Sequence, residues 1–149
     1  MRAMRSRPPV SGVIASYIHG NGTVGAMVEL ACETDFVSNN EEFKALARDI
    51  AMQVAASNPD FLSSADIDDA ARAKASEVFA KETEGKPEEL KAKILEGKIS
   101  SYFADKILLE QPFIKNADLT IATLISNAIQ KFGEKTEIVR FSRFSVGGK

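Results

Sequence analysis

The firmest constraint on this chain is local. Residues 10–19 and 23–32 are rich in Val, Ile and Tyr, and between them lies Gly20-Asn21-Gly22, whose residues tolerate the positive φ that a tight reversal needs. The pattern predicts a β-hairpin. In its second strand Val24, Ala26, Val28, Leu30 and Cys32 share one face by the period of two. Met27 and Ala31 make the other face apolar in part, so both faces are expected to be at least partly covered. His19, the only histidine, ends the first strand beside the turn. Nothing with metal-ligand spacing accompanies it, which favours a structural or exposed role over metal or base chemistry.

The remainder reads as helices and one more strand. Ser38-Asn39-Asn40 offers caps and Glu41-Glu42 first-turn acids, ahead of a helix whose Phe43, Leu46, Ala47, Ile50 and Val54 form one apolar stripe; Asn58-Pro59 ends it. A second helical pattern runs over 67–83. A third runs over 87–109, opening on Pro87 with Glu88 and Glu89 and interrupted by Gly97, which is expected to bend or divide it. Together they predict a helical hairpin. Glu110-Gln111-Pro112-Phe113 reads as a turn whose Phe113 plugs the core. Thr120 caps the most regular helix, with Ile121, Leu124, Ile125, Ala128, Ile129 and Phe132 at helical spacing and Gly133 as its stop. Residues 137–146 form a closing strand able to pair with the hairpin. The fold class is therefore α+β: a three-stranded antiparallel sheet packed with helices, plus a helical hairpin.

Length and charge narrow the functions available. With 149 residues, 44% of them hydrophobic, the chain can bury one substantial core. Nineteen basic and 21 acidic side chains give a net charge of −2, so no global field recruits nucleic acid or an anionic membrane. The single cysteine, Cys32, has no intrachain partner and is predicted to be a buried thiol, which suits a reducing compartment. No run approaches the ~20 apolar residues that span a bilayer. Residues 1–9 are basic but short and broken by proline, and read as a disordered leader or linker remnant rather than a targeting helix.

Between the second strand and the first helix lies Cys32-Glu33-Thr34-Asp35-Phe36-Val37. A carboxylate beside an aromatic, on a tight connection between two anchored elements, is a rigid wedge suited to a partner. The alternative makes Phe36 the hydrophobic staple of the next helix, packed under Leu46 or Ile50, with Asp35 as an ordinary cap. Both readings stand on the residues alone. No phosphate loop, nucleophile elbow or metal spacing is present, and the carboxylates lie on predicted helix exteriors, so an enzyme is the poorer hypothesis. An RNA-binding or structural interaction domain is the rival class. It would use the 140–144 strand, where Arg140, Phe141, Arg143 and Phe144 alternate, although the two rings point to opposite faces.

Tyr17-Ile18-His19 before a Gly-rich turn, then Val28-Glu29-Leu30, then the Cys32 to Val37 motif together resemble the elongation factor Ts family. These are nucleotide exchange factors of the translational GTPase elongation factor Tu. The likeness continues through Asn40-Glu41-Glu42-Phe43, Asp49-Ile50-Ala51-Met52, Gly85-Lys86-Pro87, Glu96-Gly97-Lys98, Leu108 to Phe113 and Arg140 to Phe144, covering about residues 11–147. The resemblance implies a core domain over 10–149, its helical hairpin at roughly 67–109 inserted between strands two and three. It implies a non-enzymatic exchange factor of protein biosynthesis in the cytoplasm or an organelle matrix. The Asp35-Phe36 pair would enter the GTPase and disturb its magnesium and phosphate site so that GDP leaves. Thr34, Val37, His19, Asn39 and Asn40 are the further expected partner contacts. Elongation factor Tu, GDP-bound or nucleotide-free, is the expected partner, with no cofactor, metal, membrane or direct nucleic acid. The likeness is to the compact core or dimerisation form without the family's N-terminal ubiquitin-associated-like module, and compact cores are expected to pair.

Overall fold

The computed structural model describes residues 11–148, so the expectation for 1–9 lies outside the described residues. In chain order the elements are β1 (Ser11–His19), β2 (Val24–Cys32), α1 (Asp35–Ser38), α2 (Glu41–Ser57), α3 (Asp69–Ala80), α4 (Glu88–Ala104), β3 (Pro112–Phe113), β4 (Asn116–Thr120), α5 (Ile121–Phe132) and β5 (Glu137–Ser145). They fall into two compact units. One holds the described residues up to Asn58 together with those from Pro112 onward; the other is Pro59–Gln111.

In the first unit β1, β2 and β5 form an antiparallel sheet with β2 in the centre. The hairpin closes through the Gly22 amide donating to the His19 carbonyl at 3.0 Å, with Gly20 at φ 52° and Gly22 at φ 89°, the left-handed region that glycine enters without penalty. Ser11 pairs with Cys32 and His19 with Val24, so the two ends of the hairpin are a full strand apart. A bulge at Glu29/Leu30 shifts the register between β2 and β5. One face of the sheet is packed: Ala26, Val28 and Leu30 are buried against α2, whose Phe43, Ala47, Ile50 and Val54 are fully covered. Each large side chain there contributes about 1.5–3 kcal/mol of burial.

The other face differs from expectation. Ala31 is buried, but Ile14, Ile18, Met27 and Phe144 are at least half exposed. The expected turn at 110–113 is also more ordered than its sequence implied. Pro112 and Phe113 form β3 and pair with β4, and Phe113 is buried. Gln53, fully buried on α2, holds this small sheet: its Nε2 donates to the Pro112 carbonyl at 3.1 Å and its Oε1 accepts from the Ile114 amide at 2.9 Å. Thr120 caps α5 by accepting from the Thr123 amide, and Gly133 ends it at φ 70°.

The second unit is the helical hairpin. Its own core is Ile67, Ala75, Phe103 and Ile107, with Phe61 edge-on to Phe103 at 6.1 Å. A 3₁₀ turn at Ser64–Asp66 precedes α3, which starts at Asp69 because the Asp68 carboxylate accepts from the Ala71 amide. Gly97 does not divide α4, which runs unbroken from Glu88 to Ala104. That helix stops short of the expected limit, and the chain regains a separate 3₁₀ turn at Leu108–Glu110.

Candidate functional site

Where β2 ends, the chain turns directly into α1, a single helical turn. Thr34 is its N-cap in extended conformation (φ −131°, ψ 157°), its Oγ1 accepting from the Val37 amide at 3.4 Å. The Ser38 and Asn39 amides close the turn on the Thr34 and Asp35 carbonyls at 3.2 and 2.9 Å. Asn40 then caps α2, its Oδ1 accepting from the Glu42 and Phe43 amides at 2.7 and 3.3 Å. Caps at both ends leave little freedom to the residues between.

Within that turn the side chains divide sharply. Val37 and Ser38 are buried, at 3% and 6% exposure, whereas Phe36 is 85% exposed. The staple reading therefore fails: Phe36 does not pack under Leu46 or Ile50, and Thr34 and Asn40, not Asp35, do the capping. Asp35 accepts a 2.5 Å hydrogen bond from Ser11 Oγ, which also lies 2.9 Å from Ser38 Oγ. The carboxylate is thus tied to the start of β1 while remaining at the surface. Cys32 sits beneath. Burial pushes its thiol above the usual range, against the lowering effect of its 3.3 Å hydrogen bond to the Thr34 carbonyl.

A second support comes from the loop after α5. Glu134 Oε1 accepts from the Glu33 and Thr34 amides at 3.1 and 3.0 Å, and its Oε2 accepts from Thr34 Oγ1 at 2.6 Å. Reciprocally, Glu33 accepts from the Lys135 amide at 2.6 Å. Neither Glu134 nor Ser11 was picked out from the sequence. Their links to this segment span 100 and 24 residues, and no local pattern carries that information.

The other expected contacts are distributed. Asn39 is exposed, and Asn40 is half-buried and occupied as a cap. Val37 belongs to the core, so its part in the site is to anchor the turn. His19 is eight residues along β1 from Ser11, roughly 26 Å at ~3.3 Å per residue, where its Nδ1 lies 3.1 Å from Tyr17 Oη. The structure does not bring it to Phe36. On β5 the alternation separates the arginine–phenylalanine pairs. Arg140 is bound to Glu29 at 2.8 Å and Arg143 Nε donates to the Ala55 carbonyl at 3.0 Å, leaving Phe144 as the strand's exposed ring. Among the described residues, no group of three or more His, Cys, Asp or Glu could hold a metal ion, and no helix is long and apolar enough to cross a membrane.

The family model described as Elongation factor TS matches residues 2–148. Elongation factor Ts of Syntrophus aciditrophicus is 48% identical over 144 residues, which is 95% of this chain and 72% of the relative. The proteins of the same name from Desulforamulus reducens and Thermodesulfovibrio yellowstonii are 44% and 47% identical over 143 residues each, again 95% of this chain and 66% and 71% of theirs.

Proposed function

The chain belongs to the elongation factor Ts family, and on that premise we propose that it promotes GDP release from the translational GTPase elongation factor Tu by inserting Asp35 and Phe36. The observation that carries this reading is the 85% exposure of an aromatic ring whose immediate neighbours Val37 and Ser38 are buried. An exposed phenyl group on a capped, anchored turn offers apolar area at small ordering cost.

Magnitudes set the size of the interface. Burying Phe36 in a partner contributes about 1.5–3 kcal/mol. Charge-assisted hydrogen bonds from Asp35 contribute about as much, ~1.5–3 kcal/mol. A nucleotide held with nanomolar affinity represents ~12 kcal/mol. The pair cannot expel it unaided, so the interface extends to other surfaces, with Asn39, Asn40, His19 and the helical hairpin as its proposed members. Binding must favour the GTPase conformation that holds nucleotide poorly. By linkage the weakening is mutual, so incoming nucleotide displaces the factor. The test is release of a fluorescent GDP analogue from purified elongation factor Tu. Acceleration by the chain supports the proposal. Unaltered release, with labelled oligonucleotide retained in a steeply salt-dependent way, would favour the RNA-binding alternative.

Pairing of two copies is a second proposal, supported by the open sheet face. Ile14, Ile18, Met27 and Phe144 lie exposed together there, and contiguous apolar patches on monomers are usually small or functional. Light scattering should give a dimer mass at high concentration; a monomer would remove the idea.

A further inference from the structure

We infer that Glu134 is a positioning residue for exchange: its carboxylate clamps the base of α1 and thereby fixes the direction in which Phe36 points. The inference rests on the reading of Phe36 as the inserted residue and deepens it.

The need for a clamp follows from where β2 stops. Cys32 is the last residue of β2 paired to β1, opposite Ser11. Beyond it, the amides of Glu33 and Thr34 have no strand acceptor among the described residues. Glu134 supplies one: a single carboxylate oxygen receives both amides, at 3.1 and 3.0 Å. Consecutive amides converging on an anion form a concave donor pair well matched to negative charge. The second oxygen takes the Thr34 hydroxyl at 2.6 Å, a short charge-assisted bond. That hydroxyl is also the N-cap of α1, accepting from the Val37 amide at 3.4 Å. Donation to a carboxylate makes the oxygen a better acceptor, so the clamp strengthens the cap it holds.

Glu134 is itself held firmly. It follows Gly133, whose left-handed backbone ends α5, and α5 is seated by buried Ile121 and by Phe132, edge-on to Phe43 at 6.0 Å. The bond from Lys135 to Glu33 runs in the opposite direction, so the two segments are crossed by a pair of carboxylates. A mechanical path then leads from the core through α5, Glu134 and Thr34 to the turn that carries Phe36. Without Glu134, residues 33–36 would keep the bond from Lys135 to Glu33, the bond from Ser11 to Asp35 and the turn's own cap, but Thr34 would lose its anchor to α5, and a ring freer to swing would push on the GTPase less effectively.

The sequence contains no tryptophan, so Phe36→Trp provides a single indole at the tip, excited selectively over the two tyrosines. Four readouts are compared for the full chain and for Glu134→Ala and Glu134→Gln. They are the GDP release rate from elongation factor Tu at saturating factor, the half-saturating concentration, thermal stability, and time-resolved anisotropy of the indole in the Phe36→Trp background. For Glu134→Ala the saturating rate is expected to fall about tenfold, equivalent to ~1.4 kcal/mol in the barrier. The half-saturating concentration should change less, and the local anisotropy decay should gain amplitude. Glu134→Gln retains an oxygen for the two amides but loses the acceptor for the Thr34 hydroxyl, and should fall between Ala and Glu; it also decides the matter if Glu134→Ala does not fold. An unchanged saturating rate overturns the inference. So does a rate loss that follows lowered thermal stability while the anisotropy stays unchanged, because that pattern belongs to a merely structural contact. If Phe36→Ala exchanges normally, the insertion reading itself is overturned, and the anisotropy separately decides whether Glu134 orders the segment.

Discussion

Phe36 owes its exposure to its neighbours. Thr34 fixes the start of α1, Val37 buries its inner side and Asn40 starts α2 immediately afterwards, so the ring at the second helical position has no direction left but outward. The sequence held the ingredients, yet a phenylalanine before a capped helix reads equally well as a staple. Deciding between the two required knowing that a turn of helix intervenes. Gln53 was hidden for the opposite reason, as a polar residue on a stripe otherwise read as apolar. Replacing it by Leu keeps the volume but strips hydrogen bonds from the Pro112 carbonyl and the Ile114 amide. The expected loss is about 1–3 kcal/mol for each group left unpaired, measured as a lower urea midpoint; an unchanged midpoint would mean that both groups find other partners.

At the scale of elements, the β-hairpin, the Asn40 and Thr120 caps and the Gly133 stop were legible because each has a local signature. The short pieces were not. β3 is two residues long and α1 four, too few for any period to emerge, and their positions are set by partners distant in the chain. Gly97 is the reverse case: a weak helix former that could divide a helix leaves α4 continuous, because one such residue costs only ~1 kcal/mol relative to Ala and the rest of the helix outweighs it. Gly12 is the sheet's most sensitive glycine. A Cβ there would meet the Leu30 carbonyl oxygen at 2.4 Å and the Ala31 Cα at 2.9 Å, both main-chain atoms that cannot move aside cheaply. Gly12→Ala is therefore expected to cost about 1–3 kcal/mol through overpacking between β1 and β2, or roughly 3–10 °C in Tm for a chain of this size. A variant that melts with the wild type would show that the strands can shift.

For the molecule as a whole, a net charge of −2 supplies no global field toward nucleic acid and directs the reading to local surface. The fold class and the family were legible because hydrophobic periods and the motif around Asp35 and Phe36 are carried by contiguous residues. The supports of the proposed site were not, because Ser11, Glu134 and Lys135 meet it only once the sheet and α5 have formed. Stability and proposed action are accordingly separable at one position, since a side chain 85% exposed contributes little to folding. The most direct measurement is stopped-flow release of fluorescent GDP from elongation factor Tu by Phe36→Ala, read beside its thermal melt. The expected result is a saturating release rate reduced by about tenfold or more, corresponding to at least ~1.4 kcal/mol of lost barrier lowering, with Tm within a degree or so of wild type, as for surface substitutions that change stability by no more than ~0.5 kcal/mol. Release at the wild-type rate, whatever the melt, would contradict the insertion of Phe36 as the means of exchange.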